Sequence, residues 1–221
     1  MFASPCRPYI AALLLLLATT AGCRSAYYKT WEKLGWQKRD ILVDRVQDAR
    51  DEQEAAKKQF QTTLERFIEI TQADVGELES RYRRLNSEFK RSESRAEAVR
   101  ERIDSIETVA ADLFKEWRNE LSQYESAELR RSSEQKLRDT QRRYDEFIDA
   151  MKRAAAKMEP VLAAFRDQVL YLKHNLNAAA IAALETTTAN LESDVATLIK
   201  DMESSIAEAN AFIQEMQQTR G

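Results

Sequence analysis

Residues 78–124, LESRYRRLNSEFKRSESRAEAVRERIDSIETVAADLFKEWRNELSQY, decide the fold. Stepping alternately by four and three from Leu78 reaches Tyr82, Leu85, Phe89, Ser92, Ala96, Val99, Ile103, Ile106, Ala110, Leu113, Trp117, Glu120 and Tyr124. All but Ser92 and Glu120 are apolar or aromatic. A seam with that period, held over so many turns, marks one face of a long helix buried against other helices. Asp74 stands three residues before Glu77 with the spacing of a capping box, and Gly76 lowers helix propensity beside it, so the helix is expected to begin there. The seam puts Trp117 in the core.

Three further seams flank this one. The first helix is read from about Lys29 to Thr71, on Leu42, Val46, Ala49, Gln53, Ala56, Phe60, Thr63, Phe67 and Ile70, with Leu64 and Ile68 widening the face. The third runs on Leu137, Gln141, Tyr144, Ile148, Met151, Ala155, Met158, Leu162, Phe165, Val169, Leu172 and Leu176, with Ser126 as the expected N-cap. Its frame passes Pro160 without slipping, so Pro160 is read as a kink inside one helix, against the alternative of a loop at Glu159-Pro160. The frame breaks between Leu176 and Ile181, with Asn177 as the N-cap of a fourth helix on Ile181, Leu184, Thr188, Leu191, Val195, Leu198, Met202, Ser205, Ala209, Phe212 and Met216. Helices of similar length with short connections imply an all-α fold: an elongated antiparallel four-helix bundle or coiled coil of long helices, up-down-up-down. Two long hairpins completing the core in a homodimer fit the same periodicity.

Composition agrees. The chain has 221 residues, 34 Lys and Arg against 37 Asp and Glu, and a formal net charge of -3. Four Gly and three Pro are too few for a sandwich or barrel, which needs a turn signal every 8–12 residues or so. Regularly spaced apolar residues, 43% of the chain, exclude a disordered polyampholyte.

The start of the chain reads as an address. Arg7 precedes an apolar run from Tyr9 to Ala18, too short to span a bilayer, and small residues follow up to Cys23. Thr20-Ala21-Gly22-Cys23 resembles the bacterial lipobox, with Thr20 where Leu is usual. That resemblance implies a cleaved signal peptide over residues 1–22, lipid on the Cys23 sulfur, and a lipid anchor with a short tether over residues 23–28 before a helical bundle domain at 29–219. Arg24 in place of Asp after the cysteine implies sorting to the periplasmic leaflet of the outer membrane. The plain alternative is an ordinary signal peptide with a fortuitous cysteine. Cysteine usage supports the lipid: Cys6 leaves with the signal, and Cys23 would otherwise be an odd thiol in an exported chain. Tyr27, Tyr28, Trp31 and Trp36 mix with Lys29 and Lys33 just beyond it, a composition suited to a membrane–water interface; the alternative is that Trp31 and Leu34 close the bundle end.

Few residues invite chemistry. With a single His and no thiol free of lipid, a Cys/His zinc site is excluded and a nucleophile–His pair would rest on His174 alone. A di-metal bundle would need inward Glu-x-x-His pairs, and none occurs. No cofactor is expected. His174, Asn175 and Asn177 sit at the break between helices three and four. They make either a solvated joint or a partner-binding tip, because loop ends on rigid scaffolds carry recognition. Arg130, Arg131, Arg138 and Arg142 belong to a basic stretch that reads as a solvated helix start or as a patch for an anionic partner. Nucleic acid does not fit an exported, net acidic chain.

Cys23 to Tyr28, Lys38 to Val46, Arg130-Arg131-Ser132-Ser133, Met158 to Leu162 and Asp167 to Asn177 together resemble an uncharacterised family of Gram-negative bacterial lipoproteins, catalogued as domain of unknown function 2959, over essentially the whole mature chain. The resemblance implies location and extent, and no activity. The expected function is a non-enzymatic periplasmic lipoprotein, a coiled-coil scaffold or interaction module held to the membrane by its lipid and contacting an envelope protein. The alternatives are a module that binds or shapes membrane surfaces, and an enzyme using carboxylates or His174.

Overall fold

The structure is a computed structural model that describes residues 38–218. Cα packing divides the chain into Met1–Ile41 and Leu42–Gly221. Of the first unit only Lys38 to Ile41 are described, in helix. The second unit is the bundle. Among the described residues 95% are helical and there are no strands. Helix α1 spans Lys38–Thr71, α2 Leu78–Glu120, α3 Ala127–His174 and α4 Ala178–Gln218. Short 3-10 turns at Val75–Glu77 and Leu121–Gln123 join the first three.

Ion pairs and hydrogen bonds fix the register. Asp48 and Glu52 of α1 meet Arg102 and Arg95 of α2 at 3.6 and 2.8 Å. Glu93 and Glu107 of α2 meet Arg166 and Lys152 of α3 at 2.9 and 2.6 Å. Lys157 and Arg143 of α3 meet Asp201 and Glu215 of α4. Lys57 and Arg50 of α1 reach Glu203 and Asn210 of α4 at 3.4 and 3.0 Å. In each set the numbers rise on one helix as they fall on the other, so neighbours are antiparallel and α1 lies between α2 and α4. One chain therefore closes a four-helix core by itself. Each exposed pair contributes little, but opposite charges at all four seams select this arrangement of neighbours.

The interior follows the predicted seams, except that Tyr82, Gln141, Leu176, Ile181 and Thr188 are only half-buried. Every residue of the α1 seam is buried, including Gln53 and Thr63. Phe67 and Phe165 meet edge to face at 6.5 Å across the core. Toward the other end Phe114, Tyr144, Phe147 and Phe212 form one cluster from α2, α3 and α4, with Phe147 stacked on Phe212 at 4.5 Å. The polar seam residues pair with each other. The Thr63 and Ser92 hydroxyls are 2.8 Å apart, and the Ser205 hydroxyl donates to Gln53 Oε1 at 2.8 Å. The Gln53 Nε2 has no partner, so this layer satisfies half of a buried amide. A polar residue at a core position penalises every register that leaves it unpaired.

Two further expectations need correction. Past Ile106 the α2 seam drifts, because a straight helix repeats every 3.6 residues rather than 3.5. Val109, Ala110 and Phe114 take the inward positions. Leu113 and Trp117 are half-buried instead of buried, and Tyr124 is exposed. The Trp117 Nε1–H reaches the Ser133 hydroxyl at 2.9 Å, which suits a ring with one polar edge. The capping box at Asp74 does not form. The Asp74 carbonyl accepts the Glu77 N–H at 2.9 Å within the 3-10 turn, Glu77 is the N-cap without a side-chain bond, and its carboxylate pairs with Arg81.

Pro160 lies inside the continuous α3. Both Pro160 and Ala156, whose carbonyl loses its helical partner, are on the exposed face. On that face the freed carbonyl is open to solvent, so the proline needs no loop. Val161 and Leu162 return at once to the core.

Candidate functional site

The two ends of the bundle differ. The α1–α2 and α3–α4 connections share one end, and the α2–α3 turn lies at the other, where Leu42 brings the chain into the bundle.

At the first end α3 closes on the basic residues Lys173 and His174, and the Lys173 ammonium complements its C-terminal carbonyls. The Asn175 N–H donates to the Leu172 carbonyl at 3.2 Å and its side-chain amide to the Tyr171 carbonyl at 2.9 Å. The Ala180 N–H donates to Asn177 Oδ1 at 3.0 Å. Both asparagines thus stop one helix and start the next, as their types predict. His174 is exposed, and so are the apolar Leu170 and Tyr171 on the preceding turn. Sequence reasoning passed over these two because they flank the seam residues Val169 and Leu172. Across the tip Arg81 donates to the Glu69 carbonyl at 2.8 Å and caps the end of α1.

At the second end Ser126 caps α3, its hydroxyl accepting the Leu129 N–H at 3.3 Å. The basic stretch separates into two groups. Arg138 bonds Gln135 at 2.8 Å, Arg142 bonds Asp139 at 3.1 Å, and Arg143 bridges Glu146 and Glu215. These cations are engaged along their own helix, and Arg143 also holds α4. Arg130 and Arg131 form no ion pair among the described residues; the Arg131 Nε–H donates to the Ala127 carbonyl at 3.2 Å. Beside them Leu129 and Tyr124 are exposed. The structure therefore splits the predicted patch: Arg130 and Arg131 face outward at the turn, while Arg138 and Arg142 are partnered.

Cys23, Tyr27, Tyr28, Lys29, Trp31, Lys33 and Trp36 lie outside the described residues. Among the described residues there is no group of three or more His, Cys, Asp or Glu that would hold a metal, and no helix is long and apolar enough to cross a membrane. Within the core the titratable group most perturbed is Tyr144. Burial holds its phenol well above the usual range, and the nearby Glu107, Asp145 and Asp149 carboxylates add to the effect. Hydrogen bonds from Lys57 to Glu54 and from Lys152 to Glu107 raise those two amines.

Comparison with known proteins matches residues 27–216 to the family described as "Protein of unknown function (DUF2959)". No curated protein and no solved structure matches the chain.

Proposed function

The chain belongs to the family of proteins of unknown function DUF2959, and from that premise we propose that it is a lipid-anchored envelope scaffold. In this reading Cys23 carries the lipid, the outer membrane's periplasmic leaflet holds the anchor, and the bundle presents its surface to an envelope protein without catalysing a reaction. The observation that carries the reading is the interior. Four seams of Phe, Leu, Ile, Val, Met and Ala run along the bundle, and the hydroxyls of Thr63, Ser92 and Ser205 and the Gln53 Oε1 bond to one another between the helices. Catalytic sites are concave and bring polar groups together around a substrate; here the polar groups that converge are packed between helices. The exposed caps and turns are left as the recognition elements.

Photo-crosslinking in native envelopes tests this. A photoreactive side chain at Tyr171 is expected to give a discrete protein adduct, and one at Ser193, on the exposed side of α4, is expected to give none. Equal, diffuse labelling from both positions would remove the scaffold reading.

A further inference from the structure

We infer that the α2–α3 tip, made by Tyr124, Leu129, Arg130 and Arg131, is a second membrane contact that takes the anionic headgroup region of a phospholipid bilayer. This rests on the lipid-anchored reading above.

The argument begins with exposure. Tyr124 is 40% and Leu129 59% exposed, and with Leu170 and Tyr171 they are the exposed large hydrophobics among the described residues. An aromatic and an aliphatic side chain set outward on one turn are unexplained by packing, since neither joins the core. Two guanidinium groups without carboxylate partners stand directly beside them, while Arg138 and Arg142 on the same helix are paired. Guanidinium binds phosphate oxygens with a planar fork, and aromatic rings with basic residues settle at the level of lipid headgroups. Glu125 and Glu128 share the turn, so net charge does not draw the tip to the bilayer. Glu128 lies in the first turn of α3, where a carboxylate complements the helix N-terminus. Contact therefore depends on the apolar pair and on local phosphate bonds.

The register supplies the reason for choosing a bilayer. Asp48 of α1 is level with Arg102 of α2. From there α1 needs only two turns or so to reach Leu42, whereas α2 and its 3-10 turn continue to Gln123. At about 1.5 Å per residue the tip lies roughly 20 Å past the level of Leu42 and roughly 15 Å past Lys38, where the described part of α1 begins. Arg143 and Glu215 give the same result on the other side, because α4 ends at Gln218 while α3 continues back to Ala127. The projecting tip lies at the end where the chain enters. The stretch from Cys23 to Lys38 reaches at most about 50 Å when fully extended. A tether that short keeps the tip at high effective concentration near the bilayer, so a weak contact suffices. The Leu170 and Tyr171 pair, at the opposite end, has no such tether.

The experiment places a reporter at the tip and supplies the tether chemically. The chain from residue 24 carries an N-terminal histidine tag in place of Cys23, so a thiol introduced by Leu129→Cys or Tyr171→Cys is unique. Each is labelled with an environment-sensitive fluorophore and held on vesicles of phosphatidylethanolamine and phosphatidylglycerol containing nickel-chelating lipid. The expected result is a blue-shifted emission, quenched by spin-labelled lipid, at position 129 and not at 171. Adding Arg130→Gln and Arg131→Gln should reduce that quenching several-fold with unchanged circular dichroism, and phosphatidylcholine vesicles should reduce it likewise. Equal emission at both positions, on vesicles and in solution, overturns the inference and leaves the tip to a protein partner. Because the tether is chemical, a native protein that proves unlipidated defeats the anchored reading without altering this result.

Discussion

Single residues in this bundle separate by how much they give up to the core. Phe165 is fully buried and touches Phe67 from the diagonal helix. Phe165→Ala is expected to cost about 3–5 kcal/mol, because the cavity cannot collapse between four helices. Trp117→Ala should cost less, roughly 1–2 kcal/mol, as it removes a half-buried ring and one hydrogen bond. Equilibrium urea unfolding of the two variants checks the order, and equal losses would contradict it. Tyr144 makes a different demand. Its folded pKa lies above its ordinary value of 10.0, so the native state holds the proton more tightly than the unfolded state. The stability this provides is complete below about pH 10 and is lost as pH rises through the folded value. Lys57 and Lys152 are also raised, from 10.5, and their contributions fall in the same direction above that pH. The urea midpoint is therefore expected to hold up to about pH 10 and drop beyond it. Tyr144→Phe should show a smaller drop, and an identical pH profile would show that the phenol is not the cause.

At the scale of the helix, proline is the sharpest test. Pro160 forfeits one backbone bond in the middle of α3, and the exposed face makes this tolerable rather than free. Pro160→Ala is expected to raise stability by roughly 1–2 kcal/mol in chemical denaturation. A loss would mean that the proline's curvature is needed for packing around Val161 and Leu162. The sequence showed α3 as one helix because an apolar period that survives a proline without slipping cannot contain a loop of arbitrary length. It showed Ser126 and Asn177 as caps because their side chains reach only nearby N–H groups. It failed where geometry is not local. The drift at Phe114 accumulates from the mismatch between heptad and helix. The choice of a 3-10 turn over a capping box at Asp74 depends on how α1 and α2 meet. The tip residues Leu129 and Leu170 were hidden because an apolar side chain off the seam carries no periodic signal. The split of the basic stretch into paired and unpaired arginines required knowing which face each residue occupies.

At the scale of the bundle, four helices joined by brief turns put the α2–α3 turn and the α3–α4 turn at opposite ends. The α2–α3 tip leads at the end where the chain enters, and the turn after His174 lies at the far end. In the proposed account the first meets lipid and the second meets protein, with the charged seams between them holding the helices in order. Everything in that account depends on the anchor at Cys23. Mass spectrometry of the amino terminus, on protein extracted from membranes, tests it most directly. The native chain is predicted to begin at Cys23 carrying diacylglyceryl and acyl groups, and a Cys23→Ser variant to retain residues 1–22 without lipid. Identical unlipidated termini in both would contradict it.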